Sequence, residues 1–112
     1  MSIKLHYLIG SALTSLALLA GPAKAGCHLV DCVENVRITP AQVGKRSCED
    51  LWVLRNSIYK DAGYCFQTEK ARQWFGNQGC RFASAAAVPL SDIQRHNVSV
   101  LQRLERRQRC GA

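Results

Sequence analysis

The chain lacks the short motifs that mark common catalysis. It contains no G-x-S-x-G, no glycine-rich phosphate loop and no H-E-x-x-H. The usual signatures of serine hydrolases, nucleotide binders and zinc peptidases are therefore missing. Histidine is scarce, and beyond residue 25 only His28 and His96 remain. The six cysteines are an even number, which leaves none over for a free thiol nucleophile. Cys27, His28 and Cys32 cluster, but as C-H-x3-C, whereas zinc sites favour paired C-x2-C and four ligands. The reading is no metal and no cofactor. There is no internal repeat and no low-complexity segment. Only residues 5–20 form a long apolar run. It is short for a bilayer span, which takes about 20 residues, and no transmembrane segment is expected after it.

What is present begins with an export signal. Lys4 precedes the apolar run, Gly21 and Pro22 break it, and Ala23-Lys24-Ala25 supplies small residues at positions −3 and −1 of a cleavage site. This is the pattern of a secretory signal peptide over residues 1–25. A lipoprotein reading at Cys27 is disfavoured, because Lys24 stands where a lipobox wants an aliphatic residue. Cleavage after Ala25 leaves 87 residues, with 13 basic and 8 acidic side chains and a net charge of +5. The expected location is periplasmic or secreted. One short domain with six cysteines in an oxidising compartment implies disulfide staples. The basic excess favours anionic partners.

Residues 26–46 are expected to be irregular apart from a single turn at Thr39-Pro40-Ala41-Gln42, which Gly44 ends. The helical domain is expected over residues 47–112. Ser47 and Asp50 resemble a capping box. Leu51, Leu54, Ile58 and Ala62 follow at helical spacing, and Gly63 is the stop. Thr68 caps a short second helix, with Ala71, Trp74 and Phe75 inward and Gly76 as the stop. Residues 77–90 read as a loop. Ser91 and Gln94 open the last helix, with Ile93, Asn97, Val100, Leu101, Leu104 and Gln108 on one face. The fold class is all-α: a small disulfide-stapled three-helix domain.

Residues 51–66, LWVLRNSIYKDAGYCF, and residues 89–105, PLSDIQRHNVSVLQRLE, carry a family resemblance. Leu54-Arg55-Asn56, Ile58-Tyr59, Gly63-Tyr64 and Phe66 resemble the YARHG domain, a small bacterial domain presumed extracellular. The name-giving motif differs, since this chain has Tyr59-Lys60-Asp61-Ala62-Gly63 and neither the arginine nor the histidine. Cys48, Cys65, Cys80 and Cys110 look like those of a disulfide-bearing branch. The resemblance implies fold and compartment, but no reaction, since the family has no established activity.

The positions of the cysteines suggest pairings. Cys65 and Cys80 follow the stops of the first two helices, so a bond between them would clamp the short helix, with Phe66 and Trp74 packed beneath. If the first and last helices are antiparallel, Cys48 meets Cys110, and Cys27 pairs with Cys32. The sharpest candidate site is Arg103, Arg106, Arg107 and Arg109 near the negative end of the last helix. Such a cluster suits phosphate, carboxylate or sulfate groups. Trp52 lies off the apolar stripe and is a second candidate contact. The expected partner is an anionic envelope polymer, lipid headgroup or protein, with no specific nucleic-acid signal. The function expected is a non-enzymatic binding or structural module. The alternative is a small hydrolase or nuclease using His96, paired with Asp92 and assisted by His28 or Glu105.

Overall fold

Hydroxyl side chains set where each helix begins. Thr39, Ser47, Thr68 and Ser91 each accept a hydrogen bond from the backbone N–H three residues on, which satisfies an otherwise orphaned donor. The computed structural model describes residues 32–111. They form α1 (Pro40–Val43), α2 (Cys48–Asp61), α3 (Glu69–Phe75) and α4 (Asp92–Arg107), with a 3-10 turn at Ala85–Ala87 before α4. The capping box is reciprocal at Thr39 with Gln42 and at Ser91 with Gln94. At Ser47 only the forward bond to the Asp50 N–H is made, since aspartate is one methylene shorter than the usual glutamate.

This is a small all-α domain built around α2 and α4. The two run antiparallel. The start of α2 is bonded to the chain just past α4 through Cys48–Cys110, with Cα atoms 5.4 Å apart. The end of α2 meets the start of α4, where Gln94 Nε2 donates to Asp61 Oδ2 at 3.3 Å. Leu51, Leu54 and Ile58 pack against Val98, Val100, Leu101 and Leu104. Ala62 is buried as well.

The segment before α2 is largely irregular but belongs to the same core. Val33, Ile38 and Val43 are 2% exposed or less. Asn97 on α4 pins this segment. Its Nδ2 donates to the carbonyls of Val33 and Val36 at 2.7 and 2.8 Å, and its Oδ1 accepts from the Ile38 N–H at 2.9 Å. Gln108 is not on the buried face. It is exposed, and its side chain donates to the Gly44 carbonyl at 3.3 Å. Ile93 is only half-buried.

After α2 the chain turns at Gly63, whose φ of 96° is a conformation that side-chain-bearing residues resist. The Gly63 carbonyl accepts from the N–H groups of Arg81 and Phe82, and the Cys65 N–H donates to the Phe82 carbonyl. Asn77 closes on the main chain of Phe66 from the other side, accepting at 2.7 Å and donating at 3.1 Å. Cys65 and Cys80 are bonded across this corner, with Cα atoms 5.1 Å apart. The corner is thus a cross-brace of main-chain bonds and one disulfide. Phe66 is buried under it. Trp74 is not inward: it is 55% exposed. The seven residues of α3 form two turns, and one face of so short a helix is filled by Ala71 and Phe75. Cys27 lies outside the described residues, and so does the expected Cys27–Cys32 pairing.

Candidate binding surface

The cations of this surface divide into matched and unmatched. Arg55 on α2 meets Glu105 on α4 in a two-pronged pair, Nε to Oε1 at 2.6 Å and Nη2 to Oε2 at 3.0 Å. Arg95 pairs with Asp92 at 2.6 Å, and Lys70 with Glu49 at 2.9 Å. Lys70 also sits 4.1 Å above the Trp52 ring centroid, in cation–π geometry.

Arg103, Arg106, Arg107 and Arg109 are all exposed. Among the described residues, none of them has a carboxylate within ion-pair distance. Positions 103, 106 and 107 are spaced three and four apart on α4, so their side chains leave one face. Arg103 makes only a long contact, 3.4 Å, to the Ser99 carbonyl. Arg109 follows at the helix end with φ of 59°. There the Arg109 N–H donates to Arg106 and the Cys110 N–H to Glu105, which is the Schellman closure that glycine normally provides. An arginine at that position carries backbone strain, and like charges at 103 and 107 repel slightly.

Trp52, the second candidate contact, lies on α2. It is half-buried and sits in a run of aromatic rings. Trp74 meets it edge-on with centroids 6.0 Å apart, and Phe75 lies 5.7 Å away. The run continues from Phe75 through Phe66 and Tyr64 to Tyr59 at spacings of 5.1, 5.1 and 5.7 Å. Beside this run is a hollow of about 310 Å³, lined by Trp52, Arg55, Asn56, Tyr59, Tyr64 and Gln102 among others. A shallower hollow of about 260 Å³ adjoins it, where Arg106 stands beside Arg55, Gln102 and Glu105. Arg55 is therefore the hinge between the aromatic hollow and the arginine face.

Among the described residues, the histidine site of the alternative reading is not assembled. Asp92 is engaged by Arg95, and His96 places Nε2 3.0 Å from the Ile38 carbonyl. Glu105 is held by Arg55 and stands nine residues further along α4, roughly 13 Å by helical rise. His28 lies outside the described residues. Among those residues, no three His, Cys, Asp or Glu side chains gather where one metal ion could hold them. No helix among them is long and apolar enough to cross a membrane.

Sequence reasoning missed the aromatic hollow. A signal was present: Arg55, Asn56, Tyr59, Tyr64 and Phe66, all among the residues that carry the family resemblance, line this one concavity. Their spacing alone reads as the flank of a core helix and the turn after it. The family model for the YARHG domain matches residues 29–106, well over half of the chain. No curated protein and no solved structure matches it.

Proposed function

This chain belongs to the YARHG domain family, and from that premise we propose that it is an exported, non-enzymatic binding module of the cell envelope. Its arginine-rich end of α4 holds an anionic polymer. The two disulfides among the described residues fit an oxidising compartment, and the family is one of small extracellular modules. The observation that carries the reading is the crowding of exposed arginines at the end of α4. Among the described residues Arg103, Arg106, Arg107 and Arg109 are exposed, have no carboxylate within ion-pair distance and fall within seven consecutive residues. Arg37, Lys45, Arg46, Lys60, Arg72 and Arg81 are also without a carboxylate there, so it is the crowding that sets the four apart. Unmatched guanidinium groups on one face suit repeated phosphate, sulfate or carboxylate groups, which they engage through paired N–H donors. The strained Arg109 points the same way, because glycine would close the helix at lower cost. Among the described residues, no base and nucleophile are arranged around His96 as a hydrolase would need.

The test is retention on immobilised polyphosphate and polyglutamate across a salt gradient, with anionic vesicles and envelope proteins in parallel. Wild-type protein elutes late from the polymers. The Arg103→Ala/Arg107→Ala double variant binds roughly tenfold more weakly at low salt and depends less on salt. Stability stays nearly unchanged, since exposed charges contribute little. Equal retention of a folded double variant removes the patch from the function, and retention only by vesicles or proteins redirects the partner. Export is read from the same preparation: protein recovered from periplasm or medium starts at Gly26 by intact mass, and a chain starting at Met1 or at a lipidated Cys27 overturns it.

A further inference from the structure

We propose that the aromatic hollow beside α2 is a saccharide site, separate from the arginine patch and able to take an uncharged sugar ring. At about 310 Å³ it falls at the small end of ligand pockets, which run from roughly 300 to 1,000 Å³. Trp52, Tyr59, Tyr64 and Phe66 line it. Aromatic ring faces are electron-rich and suit the C–H face of a pyranose. Phe66 is 3% exposed and Lys70 covers one face of Trp52, so the half-buried rings of Tyr59 and Tyr64 are the walls left to a ligand.

Gln67 and Thr68 at the hollow are spent on the main chain, but other polar groups there are not. Asn56 is 8% exposed, and its Nδ2 donates to the Trp52 carbonyl at 3.0 Å. Its Oδ1 has no protein partner among the described residues, nor do the hydroxyls of Tyr59 and Tyr64 or the amide of Gln102. A purely apolar ligand would bury these groups unsatisfied, at a cost. An ion is equally ill-suited. The single charge at the hollow, Arg55, is already neutralised in its two-pronged pair with Glu105. The groups that remain comprise amide and phenol functions that both donate and accept. Sugar hydroxyls do the same, and the ring between them is apolar. Aromatic walls, unspent amide and phenol groups and balanced charge together select a neutral polyhydroxylated ring.

The probes are glucose, N-acetylglucosamine and their β-linked oligomers, measured by saturation-transfer NMR and tryptophan fluorescence in 0.5 M NaCl, about where arginine contacts are heavily screened. At least one probe binds wild type saturably. Tyr59→Phe, Tyr64→Phe and Gln102→Ala leave packing largely intact, and combining two of them weakens binding roughly tenfold. The Arg103→Ala/Arg107→Ala variant binds sugar as wild type does. Three results overturn the proposal: no saturable binding by any probe, binding unchanged in the paired hollow variants, or sugar binding lost with the two arginines. Because the probes are uncharged, failure here leaves the anionic-polymer reading standing, and failure of that reading leaves this one.

Discussion

Asn97 ties more of the molecule together than any other polar side chain in the core. It is fully buried, and its amide binds three main-chain groups of residues 33–38. Asn97→Ala leaves two carbonyls and one N–H without partners, and each buried orphan costs about 1–3 kcal/mol. The expected loss is about 3 kcal/mol in urea unfolding, with faster amide exchange at Ile38. An unchanged midpoint would show that water replaces the amide. The sequence places Asn97 on the inner face of the last helix through the spacing of its apolar neighbours. What it holds is another matter. Its partners are main-chain atoms, which carry no residue-type pattern, and Val33 and Ile38 lie in a stretch with no period. Trp74 shows the reverse difficulty. Its large apolar ring and helical spacing suggest burial, but whether a ring at the end of a two-turn helix reaches the core depends on how that helix docks.

At the scale of elements, α2 and α4 are joined by apolar packing, by the Arg55–Glu105 pair midway along α2 and by the Gln94–Asp61 contact at its end. The Arg55–Glu105 pair is part-buried, with side chains 23% and 14% exposed. It therefore lies between a surface pair worth almost nothing and a buried pair whose disruption is severe. Glu105→Gln keeps the shape and removes the charge. It should lower stability by about 1 kcal/mol. Adding Arg55→Gln should cost less than the sum of the separate changes, as a double-mutant cycle of thermal melts would show. Additivity would mean the two residues act independently. Helix starts are local events, so Thr39, Thr68 and Ser91 announce them in sequence. The Arg55–Glu105 pair spans 50 residues, and no local pattern distinguishes Glu105 from an ordinary surface acid. The aromatic hollow was illegible for the same reason. It is assembled from α2, the stretch after Gly63, Ala71 on α3, Ala85 in the 3-10 turn and one residue of α4.

At the scale of the whole molecule, the two bonded cysteine pairs among the described residues have a consequence for the chain as a closed curve. The ring closed by residues 65 and 80 lies wholly inside the ring closed by 48 and 110, so the two are nested and not interlocked. Residues 83–87 are exposed and fall in the outer ring but outside the inner one. A protease that cuts there severs the backbone without parting the molecule, because the pieces stay joined through Cys48 and Cys110. Limited proteolysis should therefore yield a product heavier by one water that runs as a single species until reductant is added, then separates into two. Two pieces before reduction would contradict the 48–110 bond. A module with this connectivity can lose a peptide bond in a protease-rich space and keep the face of α4 attached to the start of α2, much as a cut loop of cord stays whole when its ends are tied.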